Sequence, residues 1–141
     1  MKSPLACLSA FALYTFAASV SAVSPITTHV LDAKLGLPGS GVPITLKYAR
    51  SSYDAAKGDS RVIARCTTDA DGRCNSLLPD SYVLKRGVYT VHFDIKTYTN
   101  RLGDKAFYPF ADITFEIETP APHYHIPLNL APYSFTTYRG S

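Results

Sequence analysis

Apolar and polar side chains alternate along most of this chain beyond residue 25. Every second side chain from Tyr124 to Leu130 is apolar, and the positions between them carry histidine, proline and asparagine. Because successive side chains of a β-strand point to opposite faces, this segment predicts a strand whose apolar face packs on a core. Its other face then presents His123 and His125 to solvent, to a ligand or to another subunit.

Seven further segments carry strand patterns. Turn-forming Gly, Pro and Asp residues separate them, residues 51–60 are polar and predict a loop, and residues 95–102 indicate a short helix. Many short strands with frequent turns are typical of an all-β sandwich formed by one domain. The seven strands are predicted at residues 26–32, 42–49, 61–67, 87–94, 112–118 and 133–139, and at a short segment beginning at Arg73.

The first 22 residues differ from the rest of the chain. A short positive start at Met1 and Lys2 precedes an apolar stretch, which ends in small residues up to Ala22. This pattern is typical of a secretory signal peptide, with an uncleaved anchor or an unstructured tail as alternatives. We therefore expect cleavage after Ala22, a mature domain at residues 23–141, and a secreted or periplasmic protein that is free of the membrane.

Composition agrees with a single folded domain. The chain has 141 residues, of which 46% are hydrophobic, and it contains ten Tyr and seven Phe. This length allows one hydrophobic core, and aromatic residues favour sheet. The net charge of +3 is spread along the chain, so no nucleic-acid partner is indicated. Cys66 and Cys74 flank a turn, where they either form a disulfide or remain free thiols.

Histidines are the strongest candidates for chemistry. Of the four histidines, His125 stands out because His123 lies two positions before it on the same strand face. Two imidazoles with an arginine suit general acid–base hydrolysis of a planar, anionic substrate, since imidazole titrates near neutral pH and a guanidinium stabilises an oxyanion. The same spacing, with His29 as a third ligand, also fits a zinc-dependent hydrolase. The sequence has no Gly-x-Ser-x-Gly motif, the pattern that would indicate a serine nucleophile.

The C-terminus is a second candidate region. It ends on Tyr138, Arg139, Gly140 and Ser141, which place an aromatic ring, a cation and a hydroxyl beside a free carboxylate. Chain ends are usually frayed, and the preceding segment is too polar for its own burial to keep it ordered. We therefore interpret the tail as part of a site.

Several of these motifs, in this order, resemble the 5-hydroxyisourate hydrolase family, the transthyretin-like proteins of urate breakdown. The terminal Tyr-Arg-Gly-Ser together with His-Tyr-His and the His-Val-Leu strand is specific for that resemblance, whereas Asp-Gly-Arg alone is a weak motif. The resemblance covers residues 26–141. The matching motifs are Thr28-His29-Val30-Leu31-Asp32, Gly36-Leu37-Pro38-Gly39, Asp71-Gly72-Arg73, His123-Tyr124-His125-Ile126-Pro127-Leu128 and Tyr138-Arg139-Gly140-Ser141.

The resemblance implies a transthyretin-like β-sandwich of two four-stranded sheets with one short helix, assembled as a homotetramer. It implies active sites in a channel between dimers, where 5-hydroxyisourate is hydrolysed to 2-oxo-4-hydroxy-4-carboxy-5-ureidoimidazoline in purine catabolism without a cofactor or metal. By the same resemblance the catalytic residues are His29, Arg73, His125 and Ser141. It implies that His123 contacts these residues and not the substrate. The residues that it implies for substrate binding are His29, Arg73, Tyr138, Arg139 and Gly140.

Two alternatives stand beside this interpretation. One is a carrier of a small hydrophobic or aromatic ligand, without catalysis, and the other is the zinc-dependent hydrolase. A carrier does not need two imidazoles and the terminal motif, which favours the enzyme. The chain departs from the family pattern at Asn129, at Ala131 and in its two cysteines. The N-terminal segment indicates periplasm or secretion in place of the intracellular setting usual for this pathway, unless the segment is an organelle address.

Overall fold

The computed structural model of the protein describes residues 23–141, and in that range it contains nine strands and two helices. The strands form two sheets, and the helices are short connections between strands. The strands are β1 (Ile26–Asp32), β2 (Leu37–Pro38), β3 (Pro43–Ala49), β4 (Arg61–Thr67), β5 (Arg73–Cys74), β6 (Gly87–Phe93), β7 (Ala111–Ile117), β8 (Tyr124–Ala131) and β9 (Ser134–Thr137). The helices are α1 (Ser52–Ala56) and α2 (Ile95–Arg101).

The two sheets differ in strand order and direction. Sheet A has the order β2-β1-β8-β9, with β5 also paired to β1, and sheet B has the order β4-β3-β6-β7. All neighbours in sheet B are antiparallel. In sheet A, β1 and β8 are parallel although they stand at opposite ends of the described chain. This pairing brings the N-terminal and C-terminal histidine motifs side by side.

Side-chain alternation gives sheet A an apolar inner face. Ile26 and Val30 of β1 are 0% and 1% exposed, and they join one core cluster with Ile126 and Leu128 of β8. Burial of this apolar surface against sheet B is the main force that holds the sandwich together. The residues between them face outward, so the outer face of sheet A is available for chemistry.

The predicted two-sheet sandwich is confirmed, with differences in its short elements. The loop predicted at residues 51–60 contains α1, whose N-cap Ser51 accepts a hydrogen bond from the backbone N–H of Asp54. None of its five residues is buried, so no apolar periodicity marks it in the sequence. The structure thus has two short helices where one was expected. Sheet A has five strands and not four, because β2 and β5, with two residues each, both pair with β1.

The turn before Arg73 is held by a carboxylate and a glycine. One oxygen of Asp69 accepts hydrogen bonds from the backbone N–H groups of Asp71 and Arg73, both at 2.9 Å. Gly72 has a positive φ of 71°, and a Cβ there would lie 2.5 Å from the carbonyl oxygen of Val30. Because only glycine tolerates this approach and this φ, the Asp-Gly-Arg motif fixes Arg73 against β1.

Cys66 and Cys74 form a disulfide, with their Cα atoms 6.5 Å apart. Cys66 lies in β4 of sheet B and Cys74 in β5 of sheet A, so the bond joins the two sheets. Of the two alternatives that the sequence leaves open, the disulfide is the one found. Because Cys74 directly follows Arg73, the bond also tethers the segment that carries this arginine.

The predicted signal peptide, residues 1–22, lies outside the described residues. Within residues 23–141, no helix is long and apolar enough to cross a membrane.

We expect the bond between Cys66 and Cys74 to stabilise the domain by about 2–3 kcal/mol, because the short loop that it closes reduces the conformational entropy of the unfolded chain. In a protein of residues 23–141, the double variant C66S/C74S should lose that much free energy of unfolding in a urea titration. The unreduced native protein of the same length should show no thiol to a labelling reagent after denaturation. Two labelled thiols per chain would contradict the bond.

Candidate active site

Two histidines from opposite ends of the domain meet on the outer face of sheet A. His29 lies in β1 and His125 in β8, and the parallel register pairs Thr27 with His125 and His29 with Pro127. Nδ1 of His29 is 2.7 Å from Nε2 of His125, and the stacked rings have centroids 4.9 Å apart. The nitrogen distance is that of a hydrogen bond, so one facing nitrogen carries a proton and the other accepts it.

Thr27 joins this pair to a third histidine. Its hydroxyl oxygen lies 2.7 Å from Nδ1 of His125 and 2.9 Å from Nε2 of His123. Thr27 is 2% exposed, and its hydroxyl has one proton to donate and lone pairs with which to accept. It can donate to one imidazole while it accepts from the other. One continuous chain of hydrogen bonds therefore runs from His123 through Thr27 and His125 to His29.

One ring nitrogen of the His29–His125 pair is left for a bound molecule. Both nitrogens of His125 are engaged, one with Thr27 and the other with His29. His29 uses Nδ1, and within residues 23–141 its Nε2 has no hydrogen-bond partner. His29 is partly exposed, whereas His125 is buried. The site can therefore exchange a proton with a ligand at Nε2 of His29, while His125 holds the other ring nitrogen of His29 through a hydrogen bond.

Arg73 supplies positive charge beside the pair. It lies in β5 opposite His29 in the register of β1 and β5, and its side chain is exposed. Burial and the guanidinium of Arg73 lower the pKa of His29 below its usual value. Burial, followed by the charges of His29, Arg73 and His123, lowers the pKa of His125 to about 4. Both imidazoles are therefore neutral at pH 7, and His29 is able to accept a proton.

Gly140 is the part of the C-terminal tail that reaches the histidines. Its backbone N–H donates to the carbonyl oxygen of His125 at 2.9 Å, and the two residues form an antiparallel bridge. A Cβ at position 140 would lie 2.6 Å from Cδ2 of His125. The imidazole packs directly against the glycine, so a larger residue here would displace the ring.

The rest of the tail lies against other groups. The guanidinium of Arg139 sits 5.3 Å from the centre of the Tyr124 ring. Together with Tyr138 it lines a groove of about 280 Å³ whose other wall includes Phe115 of β7. Ser141 is exposed, and in the described chain it makes no hydrogen bond to the histidines.

The sequence-predicted residues therefore fall into two groups within one chain. His29, Arg73, His125 and Gly140 are brought together on the outer face of sheet A. The residues that do not reach this cluster are Tyr138, Arg139 and Ser141.

The remaining histidine lies apart from this cluster. His92 pairs with Asp112 on β6 and β7 of sheet B. Within residues 23–141, no three His, Cys, Asp or Glu side chains are grouped as ligands of one metal ion. Two nitrogens bound to one tetrahedral zinc ion lie about 3.3 Å apart, so the 2.7 Å contact between His29 and His125 has the geometry of a hydrogen bond. The zinc alternative gains no support from this arrangement.

Thr27 was missed by pattern analysis, and Arg73 was found by resemblance alone. A threonine is an ordinary residue in a strand, and Arg73 is one of 14 basic residues. The available signal for Thr27 was its position two residues before His29, on the same strand face. That signal gains meaning only when β1 is known to lie beside β8.

The chain is similar to known proteins over nearly its whole described length. The model of the HIUase/Transthyretin family matches residues 26–140. A 5-hydroxyisourate hydrolase of Mus musculus is 40% identical and covers 84% of this chain and 96% of its own length. A 5-hydroxyisourate hydrolase of Ralstonia nicotianae is 34% identical and covers 82% of this chain and 97% of its own length.

Solved structures show the same architecture. The 5-hydroxyisourate hydrolase of Klebsiella pneumoniae matches with a TM-score of 0.67 and 29% identity over 82% of this chain and 97% of that chain. Sea bream transthyretin in complex with thyroxine matches with a TM-score of 0.71 and 30% identity over 83% of this chain and 95% of that chain. On the extent and identity of these matches, this chain belongs to the HIUase/transthyretin family.

Proposed function

We propose that this chain is an enzyme, a 5-hydroxyisourate hydrolase. The observation that carries the proposal is the neutral pair of His29 and His125 beside Arg73. Hydrolysis of a cyclic amide needs a base that takes a proton from water and a positive group that stabilises the oxyanion. The cluster offers both. The relatives from Mus musculus and Ralstonia nicotianae are named for this activity.

The reaction begins at Nε2 of His29. This nitrogen takes a proton from water as the water oxygen forms a bond to the amide carbonyl carbon. When the resulting tetrahedral intermediate collapses, the carbon–nitrogen bond breaks and the proton on His29 passes to the departing nitrogen. One water molecule is added in total, and the product, 2-oxo-4-hydroxy-4-carboxy-5-ureidoimidazoline, loses its carboxyl proton to solvent.

His125 acts through His29. When the N–H at Nδ1 of His29 donates a hydrogen bond to Nε2 of His125, the other nitrogen of His29, Nε2, carries a free lone pair. The hydrogen bond thereby selects the tautomer in which His29 is a base, as the carboxylate of a catalytic triad does for its histidine. Because His125 is buried and its pKa is lowered to about 4, it stays neutral and does not repel the proton that His29 receives.

Arg73 has two effects on the reaction. Its guanidinium stabilises the negative charge that develops on the carbonyl oxygen. It also holds the pKa of His29 below the usual value, which keeps the base unprotonated at neutral pH. The turn at Asp69 and Gly72 and the disulfide at Cys74 fix the backbone of this arginine.

A ligand carrier is the second candidate, because sea bream transthyretin in complex with thyroxine shares the fold. The outer face of sheet A decides between the two functions. In this chain it carries imidazoles linked by hydrogen bonds and an opposing guanidinium. These groups suit proton transfer to an anionic substrate and serve no purpose for an apolar ligand.

The proposal includes a homotetramer, in which Tyr138, Arg139 and Ser141 contact the substrate in a channel shared with neighbouring subunits. The homotetramer is supported by exposed aromatic rings that are available for contacts between subunits, such as Phe107 at 63% and Tyr133 at 77% exposure.

The proposal also includes export: the pattern of residues 1–22 supports an enzyme that acts in the periplasm or outside the cell.

The purified protein should accelerate the ultraviolet decay of freshly prepared 5-hydroxyisourate above the spontaneous rate. His125→Ala should lower kcat/KM by about 10²–10⁴, the usual contribution of a positioned acid–base group, because it leaves His29 without its partner. His92→Ala is the matched control, since this histidine lies on sheet B, and it should retain native turnover. If the native protein does not accelerate the decay, the hydrolase is excluded and the carrier is favoured.

The pH dependence of kcat/KM should reveal a base with a lowered pKa. Protonation of His29 or His125 removes the free lone pair, and both pKa values lie below the ordinary 6.5, that of His125 at about 4. Activity should therefore be level at neutral pH and fall only as the pH drops from 6.5 toward 4. A profile measured in buffers of constant ionic strength tests this; half-maximal activity above pH 6.5 on the acid side would contradict it.

Gly140→Ala should impair catalysis without unfolding the domain. The added Cβ would lie 2.6 Å from Cδ2 of His125 and would displace the imidazole that bonds His29. A displacement of about 1 Å in a catalytic group can cost about 10²-fold in rate.

Removal of residues 138–141 should lower the rate by at least as much, with the melting temperature and the far-ultraviolet circular dichroism nearly unchanged. Native turnover in the truncated protein would remove the tail from the site.

A further inference from the structure

The chain of hydrogen bonds at the site continues beyond the two histidines that the proposed reaction uses. From His125 it passes to the hydroxyl of Thr27 at 2.7 Å and from there to Nε2 of His123 at 2.9 Å. The rings of His123 and His125 are nearly parallel, with an interplanar angle of 16°. His123 stands just before β8 and is less buried than His125. Three groups thus link the partly exposed His29 to the start of β8.

We propose that Thr27 and His123, with His125, form a proton relay that carries the proton taken up by His29 to a histidine near the solvent. This inference rests on the proposed hydrolase function and extends it to two residues that the reaction as described does not use. Thr27 and His123 do not touch the substrate, so they are positioning residues and not catalytic ones.

The protons balance along the relay. Before the reaction, His29 donates from Nδ1 to His125, His125 donates from Nδ1 to Thr27, and Thr27 donates its hydroxyl proton to Nε2 of His123. When water gives a proton to Nε2 of His29, each of these protons moves one group along. His123 then carries a proton on both nitrogens, and the three other groups are neutral. The reverse shift returns a proton through His29 to the departing nitrogen of the substrate.

The relay moves the positive charge from the buried ring of His125 to the partly exposed ring of His123. An imidazolium at His29 or His125 would be partly or wholly buried and close to the guanidinium of Arg73, and these two effects lower the pKa of both histidines. Moving the charge to His123 takes it from the buried ring of His125 to one that water reaches. Burial and the guanidinium of Arg73, which keep His29 and His125 neutral before the reaction, therefore disfavour a lasting positive charge on either ring.

Thr27 has the geometry that a relay requires, and the next residue along the strand does not. The register of β1 and β8 sets Thr27 directly opposite His125, with its hydroxyl within reach of two imidazole nitrogens. Thr28 is equally buried, but it faces the core and donates to the backbone carbonyl of Ile126 at 2.6 Å. The two adjacent hydroxyls thus provide a matched pair, one inside the relay and one outside it.

The test compares Thr27→Val with Thr28→Val in the 5-hydroxyisourate assay. Both variants lose one buried hydroxyl at nearly constant volume. Thr27→Val should lower kcat by about 10²-fold, with little change in KM, because it interrupts proton transfer and leaves substrate contacts intact. Thr28→Val should keep the native kcat, and Thr27→Ser, which retains a hydroxyl, should restore most of the activity.

His123→Ala provides an independent arm that does not depend on how Thr27→Val folds. It should lower kcat, and added imidazole buffer should raise the kcat of this variant while leaving that of His92→Ala unchanged. A kcat for Thr27→Val or His123→Ala within about twofold of native, or a loss at His123→Ala that imidazole does not restore, overturns the relay. If the native protein shows no activity, the proposed hydrolase fails and the relay fails with it; native activity with fully active variants overturns the relay alone.

Discussion

The parallel pairing of β1 with β8 is the constraint on which the site depends. Seven residue pairs, from Ile26 with Tyr124 to Asp32 with Leu130, hold the two strands in one register. Because side chains alternate with a period of two, a slip of one residue would turn either His29 or His125 toward the core. The inner face of the same strands is filled by apolar residues of the main core. The packing that stabilises the sandwich therefore also fixes the imidazoles on its outer face.

Backbone features bring the other groups of the site to this pair. The carboxylate of Asp69 and the positive φ of Gly72 shape the turn that delivers Arg73 to a position opposite His29. The disulfide of Cys74 ties the same segment to sheet B. On the other side, Gly140 leaves the space that the His125 ring occupies. Each feature limits how far a functional group can move, and acid–base chemistry needs such positioning.

The fold alone does not separate catalysis from ligand binding. The Klebsiella pneumoniae hydrolase and sea bream transthyretin match this chain with TM-scores of 0.67 and 0.71 and nearly equal identity. Functions are carried by sites placed on a fold, and different sites occur on one fold. In this chain the distinguishing feature is the outer face of sheet A. There, the hydroxyl of Thr27 links His123 to His125, His125 bonds His29, and within residues 23–141 Nε2 of His29 has no hydrogen-bond partner.

The sequence by itself determined the strands, the sandwich and the candidate histidines, because alternation is a local property that each segment displays without its partners. It did not show α1, whose five exposed residues carry no apolar period, or the two-residue β2. It could not choose between a disulfide and free thiols, since only the packing of two sheets brings the Cα atoms of Cys66 and Cys74 to 6.5 Å. The tertiary structure alone decided that His29 meets His125 across 96 positions, that Thr27 connects to both His123 and His125, and that no group within the described residues bonds Nε2 of His29. These contacts depend on the register between strands distant in sequence, which no local pattern encodes.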